Sequence, residues 1–212
     1  MLEACRASRS RSLYPAVLIA LNTCMRHSEL RLLCWRQIDL NSCTLTVGLS
    51  KTEFGTGRLL PLNDRAVAIL GFWARLFPRR EPSHFVFPAE RYGASGDGLT
   101  VVYESDPTRP IGRWKEAWES AKIRAGVSCR FHDLRHTGCT RMLEGGVPFS
   151  VVATIMGWSP STTVRMTRRY GHIGQIAQRQ AVNTLNEAGF QDDDGAQNWA
   201  QSQTSRVRQL AN

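Results

Sequence analysis

The sequence predicts a mainly α-helical fold with a small antiparallel β-sheet, an α+β arrangement. Two observations carry that expectation. Apolar residues recur at helical spacing in a series of segments from Leu13–Thr23 to Val147–Met156. One stretch changes to a period of two: Cys43, Leu45, Val47 and Leu49 alternate with Thr44, Thr46 and Gly48. After the turn-rich segment 50–57, Arg58-Leu59-Leu60-Pro61-Leu62 returns as a second strand, so the pair reads as a hairpin. With 212 residues, 42% of them hydrophobic and including six Trp and eight Phe, the chain has the material for a core.

The elements follow in order. Leu13 to Thr23 is apolar and rich in Ala and Leu, a buried helix with Arg26 just past its end. Ser28 to Trp35 resumes the helical pattern, and Glu29 stands three residues after Arg26, where a carboxylate can steer a guanidinium. Lys51 sits at the mouth of the hairpin loop, a place where composition alone makes it a solvated charge. Asn63 is a suitable N-cap for a helix to about Phe77, with Ala66, Ile69, Leu70 and Trp73 on one face. Phe85 to Pro88 is a short extended piece, and Ala89 to Thr108, rich in glycine and polar residues, reads as a long surface loop. Pro110 opens a helix to about Ala125 with Trp114, Ala117, Trp118, Ala121 and Ile123 near one face, and Gly126 ends it. Helices follow over Phe131 to Gly145, Val147 to Met156, Ser161 to Arg168 and Gln175 to Ala188. From Gly189 onward the composition, rich in Gln, Asp, Ser and Asn, is that of a disordered tail.

Charge and cysteine usage narrow the class. The net charge is +9, from 27 Lys and Arg against 18 Asp and Glu. Such an excess favours a polyanionic partner, because each neutralised phosphate releases condensed counterions. The six cysteines, at 5, 24, 34, 43, 129 and 139, form no pair or cluster with metal-ligand spacing, which argues against zinc. Reduced and mostly buried thiols are the expectation. The longest apolar stretch, Tyr14 to Leu21, is too short to span a bilayer, so the expected setting is cytoplasmic, with no membrane partner.

The chemistry-bearing residues occur in distinctive local frames. Cys129-Arg130-Phe131-His132-Asp133-Leu134-Arg135-His136 places His132 and Arg135 three apart on the first turn of a helix, where backbone N–H groups also favour an anion. His136 lies one step round, the position of a packed or supporting histidine. Arg168-Arg169-Tyr170-Gly171-His172 presents a tyrosine in basic surroundings. Two arginines suit a phosphodiester under attack, since each stays charged and offers a planar fork to phosphate. With no carboxylate cluster to hold metal ions, arginines would supply the positive charge, and no cofactor is expected. A tyrosine nucleophile, with an ordinary pKa near 10, needs cationic neighbours or a base, for which His132 is the candidate.

Those frames resemble the catalytic domain of the tyrosine recombinases, the phage integrase family. Thr23-Cys24-Met25-Arg26-His27-Ser28-Glu29-Leu30 is similar to the family's first arginine box. Ser50-Lys51-Thr52 with Gly57-Arg58-Leu59-Leu60-Pro61-Leu62 is similar to its lysine-bearing hairpin. Phe131 to Thr137 resembles the second box, and Ile155-Met156-Gly157-Trp158-Ser159 with Tyr170-Gly171-His172 resembles the third. The match covers roughly residues 12–188. The resemblance implies that Arg26 and Arg135 clamp the scissile phosphate, His132 assists proton transfer and Lys51 protonates the 5′ leaving oxygen. Tyr170 would form a 3′-phosphotyrosyl link, and Trp158 stands where most members carry histidine, its indole N–H still able to donate to phosphate.

The implied activity is site-specific recombination of double-stranded DNA, four protomers exchanging strands in pairs on two sites. Residues 1–189 would be the catalytic domain, without the helical core-binding domain that usually precedes it, and 190–212 the tail. The alternatives are a truncated DNA-binding remnant and a type IB topoisomerase-like activity. Cys24 departs from the family pattern, which has glycine there, and is strained if its φ is positive.

Overall fold

Helix α2 (Leu13–Thr23) is the element on which the others pack. The computed structural model describes residues 1–94, 101–170, 179 and 182–184. In it α2 is flanked by α1 (Leu2–Arg6), by α3 (His27–Arg31), and by two longer helices, α4 (Asp64–Arg75) and, later in the chain, α6 (Asp133–Glu144). Leu13, Ala16, Val17 and Ile19 of α2 are fully buried, as the unbroken apolar run requires. Asn63 caps α4, its side chain accepting from the Ala66 N–H at 2.9 Å.

The hairpin forms as its alternation predicts, within a three-stranded antiparallel sheet. Strands β1 (Ile38–Asp39), β2 (Thr44–Thr46) and β3 (Leu59–Pro61) lie in that order, with Leu45 opposite both Ile38 and Leu60. Leu45 and Leu60 are buried and Leu59 is exposed, so one face of the sheet is sealed on the core.

The long surface loop expected over Ala89 to Thr108 is corrected by the structure. Strands β4 (Pro88–Ala94) and β5 (Val101–Pro110) form an antiparallel ribbon with a bulge between Pro88 and Ala89. The polar, glycine-rich sequence carries no sustained period-two apolar alternation by which to recognise a strand. The Glu90 carboxylate takes hydrogen bonds from the Ser10 hydroxyl (2.7 Å) and the Ser12 N–H (2.9 Å), tying the ribbon to the start of α2. Because β5 runs to Pro110, the following helix α5 (Lys115–Ala125) begins later than the proline suggests. Ile123 is 81% exposed rather than packed, and Gly126, at φ 63°, ends the helix as expected.

Helices α7 (Phe149–Met156) and α8 (Pro160–Tyr170) complete the described fold. The helix expected over 175–188 and the tail beyond it lie outside the described residues, apart from helical residues 179 and 182–184. No helix among the described residues is long and apolar enough to cross a membrane. Cys5, Cys24, Cys34 and Cys139 are buried free thiols, while Cys43 is exposed.

An aromatic cluster aims the start of α6. Trp114 is stacked on Phe131 at 5.7 Å and meets Phe87 and His27 edge-on, both at 5.4 Å. A buried tryptophan of this kind contributes about 4–6 kcal/mol as an upper bound, from roughly 150–250 Å² at about 25 cal/mol per Å². Phe131, one residue before His132, is thereby held against the core.

Candidate phosphate-binding site

The site begins where α2 ends. Cys24, the C-cap, adopts a left-handed conformation (φ 54°, ψ 24°) that turns the chain so that Arg26 becomes the N-cap of α3. The Arg26 N–H and side chain both find Glu29, at 2.8 Å to Oε2 and 2.7 Å from Nη1 to Oε1. Arg26 Nη1 also donates to the Ser50 hydroxyl (3.0 Å), and Nη2 makes a long contact of 3.5 Å to the Gly157 carbonyl. The steering role expected of Glu29 is therefore present in the geometry.

Glu29 has no exposed side-chain surface. Burial alone would push its carboxyl up. Hydrogen bonds from Arg58 and Ser50, the charge of Arg58 and the Arg26 N–H outweigh burial and hold it at about 2. The carboxylate is an anion at neutral pH and leaves the Arg26 guanidinium at the edge of the site, its side chain 16% exposed.

Arg135, in the first turn of α6, is 3% exposed. Its two terminal nitrogens donate to the carbonyls of Cys24 and Met156. One guanidinium thus ties the turn before Arg26 to the turn after α7. Burial, then repulsion from Arg26, lowers its pKa to about 10, still high enough to keep it charged at pH 7. Both predicted arginines accordingly meet at the 156–157 turn from separate parts of the chain. Gly157 is needed there: its φ is 58°, and a Cβ would stand 2.9 Å from the Gly55 Cα.

Tyr170, the last residue of α8, is 8% exposed. Its hydroxyl lies 2.9 Å from Nδ1 of His136 and also meets the Cys139 thiol. Burial and then the thiol raise the tyrosine pKa above 10. His132 stands at the N-terminus of α6, its ring 5.0 Å from that of His136 and nearly perpendicular to it. Burial lowers the pKa of both histidines, with further repulsion from His136 on His132 and from Arg169 on His136. Both rings are neutral at pH 7. The residue expected to be a supporting histidine is thus the one against the tyrosine hydroxyl.

Trp158 follows Gly157 and is half-buried, its ring 5.8 Å from Phe149. Lys51 is exposed, next to Ser50, and its side chain has no hydrogen bond or ion pair among the described residues. The structure therefore brings Arg26, Arg135, His132 and Tyr170 into one charge-coupled set, with Trp158 on the shared turn and Lys51 on the adjoining loop. Sequence reasoning missed Ser50, Arg58 and Cys139. Ser50 and Arg58 stood in the hairpin frame without a role, and Cys139 carried no signal, because the contacts of all three bridge distant segments; the Arg58–Glu29 pair spans 29 residues.

Comparison with known proteins assigns the chain to a family. Residues 1–175 match the model of the phage integrase family. The chain is 30% identical over 179 residues to the integrase of Salmonella phage P22, covering 82% of this chain and 41% of that protein. It is also 30% identical over 163 residues to an Escherichia coli shufflon-specific DNA recombinase, covering 76% of this chain and 35% of that one. The chain thus spans less than half the length of these curated relatives. Among solved structures, the catalytic domain of bacteriophage HP1 integrase superposes with a TM-score of 0.58 at 23% identity, covering 86% of this chain and 87% of that one. XerA recombinase superposes with a TM-score of 0.58 at 20% identity, covering 87% and 61%. Both likenesses bear on the fold: helices around a small antiparallel sheet.

Proposed function

The chain belongs to the phage integrase family, and from that premise we propose that it cuts and rejoins DNA through a covalent phosphotyrosyl intermediate formed by Tyr170. The observation that carries the reading is the meeting of Arg26 and Arg135 at the 156–157 turn, with Tyr170 close enough to feel the charge of Arg135. Two oriented guanidiniums in a largely buried setting suit the charge that builds on the non-bridging oxygens during attack.

In the cleavage step the Tyr170 hydroxyl oxygen bonds to phosphorus and the bond from phosphorus to the 5′ oxygen breaks. The phenol proton leaves toward the neutral histidines, with His136 as the hydrogen-bonded acceptor and His132 assisting proton transfer at the phosphate. Lys51, on its loop, supplies the proton that the 5′ oxygen takes up. Trp158 donates its indole N–H to a phosphate oxygen. The resulting 3′-phosphotyrosyl ester keeps the bond energy, so attack by a 5′ hydroxyl reverses the step and rejoins strands. No metal ion or cofactor is required by this scheme.

The relatives named as an integrase and a DNA recombinase support carrying the reading to site-specific recombination. On it, several protomers, four for two paired duplex sites, exchange strands. The test is covalent capture: a nicked duplex whose cleaved fragment diffuses away should trap the chain as an adduct that survives denaturation. DNA binding without an adduct would favour a binding remnant instead.

A further inference from the structure

We propose that Arg58 is a positioning residue of the phosphate clamp, acting on Arg26 through Glu29; this rests on the cleavage reading above. Arg58 precedes β3, and its side chain is 6% exposed, too enclosed to reach DNA itself. Its guanidinium grips both carboxylate oxygens of Glu29, Nη1 to Oε1 at 3.0 Å and Nη2 to Oε2 at 2.7 Å. Nη1 also donates to the Gly55 carbonyl (2.7 Å), and Nε to the Ile155 carbonyl (3.1 Å). One side chain therefore links the α3 carboxylate, the loop that carries Lys51 and the end of α7 just before Trp158.

Charge explains why such a group is needed. Glu29 is a buried anion, and Arg26 is its only other cationic partner among the described residues. With Arg26 alone, the pair would be neutral, and the guanidinium would be drawn to both carboxylate oxygens. Arg58 takes the bidentate position. The Arg26 guanidinium is left with a one-nitrogen contact to Glu29 Oε1, so its charge, its Nε–H and Nη2, which makes only a long contact to the Gly157 carbonyl, stay available to an incoming phosphate. The Ser50 hydroxyl, 2.5 Å from Oε1 and 3.0 Å from Arg26 Nη1, closes the arrangement from the loop side.

The experiment is a double-mutant cycle on covalent capture with the full chain. Arg58→Met should slow adduct formation about 100-fold, the usual cost of a misplaced reacting group. In an Arg26→Ala background the same change should cost less than about threefold, because the residue through which Arg58 acts is gone. A full 100-fold loss in both backgrounds, or no loss in either, would overturn the proposal. Should Arg58→Met not fold, Arg58→Lys keeps the charge without the fork. It should lose about tenfold alone, with the same non-additivity.

A second arm is independent of cleavage. In the 15N-labelled chain, slow rotation of the Arg26 guanidinium should give resolved Nη signals that collapse in the Arg58 variant. Unchanged Arg26 signals would refute the positioning role. A wild-type chain that makes no adduct would instead strike the cleavage reading, leaving this arm to judge Arg58.

Discussion

Nδ1 of His136 lies 2.9 Å from the hydroxyl of Tyr170, so α6 and α8 meet at the atom that would attack phosphate. Burial holds the histidine below its ordinary pKa of 6.5, leaving a neutral nitrogen that can accept the phenol proton. The rate of adduct formation should therefore be insensitive to this group at neutral pH. It should fall only below the depressed histidine pKa, where the ring becomes protonated. His136→Gln should slow the reaction about 100-fold, within the usual range for general acid–base catalysis, and remove that acid limb. A variant that kept the limb would place the proton on another group.

The left-handed Cys24 makes a second prediction. Its side chain is buried against Gly138 of α6, where an added Cβ would collide with the Cys24 sulfur and stand 3.2 Å from the Leu21 carbonyl. Gly138→Ala should thus destabilise the protein by about 1–3 kcal/mol by overpacking, despite alanine's better helix propensity. Cys24→Gly should lie within about 1 kcal/mol of wild type, since relief of the positive φ offsets the lost packing. Adding Cys24→Gly to Gly138→Ala should recover part of the loss. Chemical denaturation of the two single variants and the double variant measures the coupling.

Stability should also depend on pH through His27. Burial, then Arg31 and Arg113, lowers its pKa to about 4, and its ring packs edge-on against Trp114 and Phe131. Between pH 6.5 and 4 the unfolded chain binds this proton and the folded chain does not. Folding stability is therefore full above pH 6.5 and declines as pH falls toward 4, by up to about 3 kcal/mol. His27→Gln should flatten this part of the profile in urea unfolding at a series of pH values. An unchanged slope would assign the dependence to other groups.

What the sequence disclosed and what it concealed divide along physical lines. Helix α2, the Asn63 cap, the 43–62 hairpin and the Gly126 stop were legible because each depends on neighbours within a turn or two. The strain at Cys24 was legible for the same reason, as a non-glycine at a turn. The β4–β5 ribbon was not, because its sequence carries no sustained period-two alternation. His136 was assigned a supporting place because no neighbour in sequence marks it out, although at i+4 it shares a helix face with His132. Only the distant arrival of α8 gives it Tyr170. Arg58 was part of a recognised frame, yet its role depends on Glu29, Gly55 and Ile155 meeting in three dimensions.

Lys51 supplies a prediction that isolates one proton. If it protonates the 5′ leaving oxygen, Lys51→Ala should slow cleavage of an ordinary duplex by about 100-fold or more. A substrate with sulfur in the bridging 5′ position has a leaving group that needs no proton. On that substrate the variant should match wild type. An equal deficit on both substrates would assign Lys51 to binding rather than proton donation.

The most direct test of the account is the identity of the covalent bond. A nicked duplex carrying the recombination site flanking the chain's own gene should be incubated with the protein in the presence of a metal chelator. Denaturing electrophoresis and peptide mass mapping then follow. The account predicts an adduct on Tyr170 that carries a 3′ phosphate and is absent from Tyr170→Phe. An adduct on another residue, or one that persists in Tyr170→Phe, would contradict it.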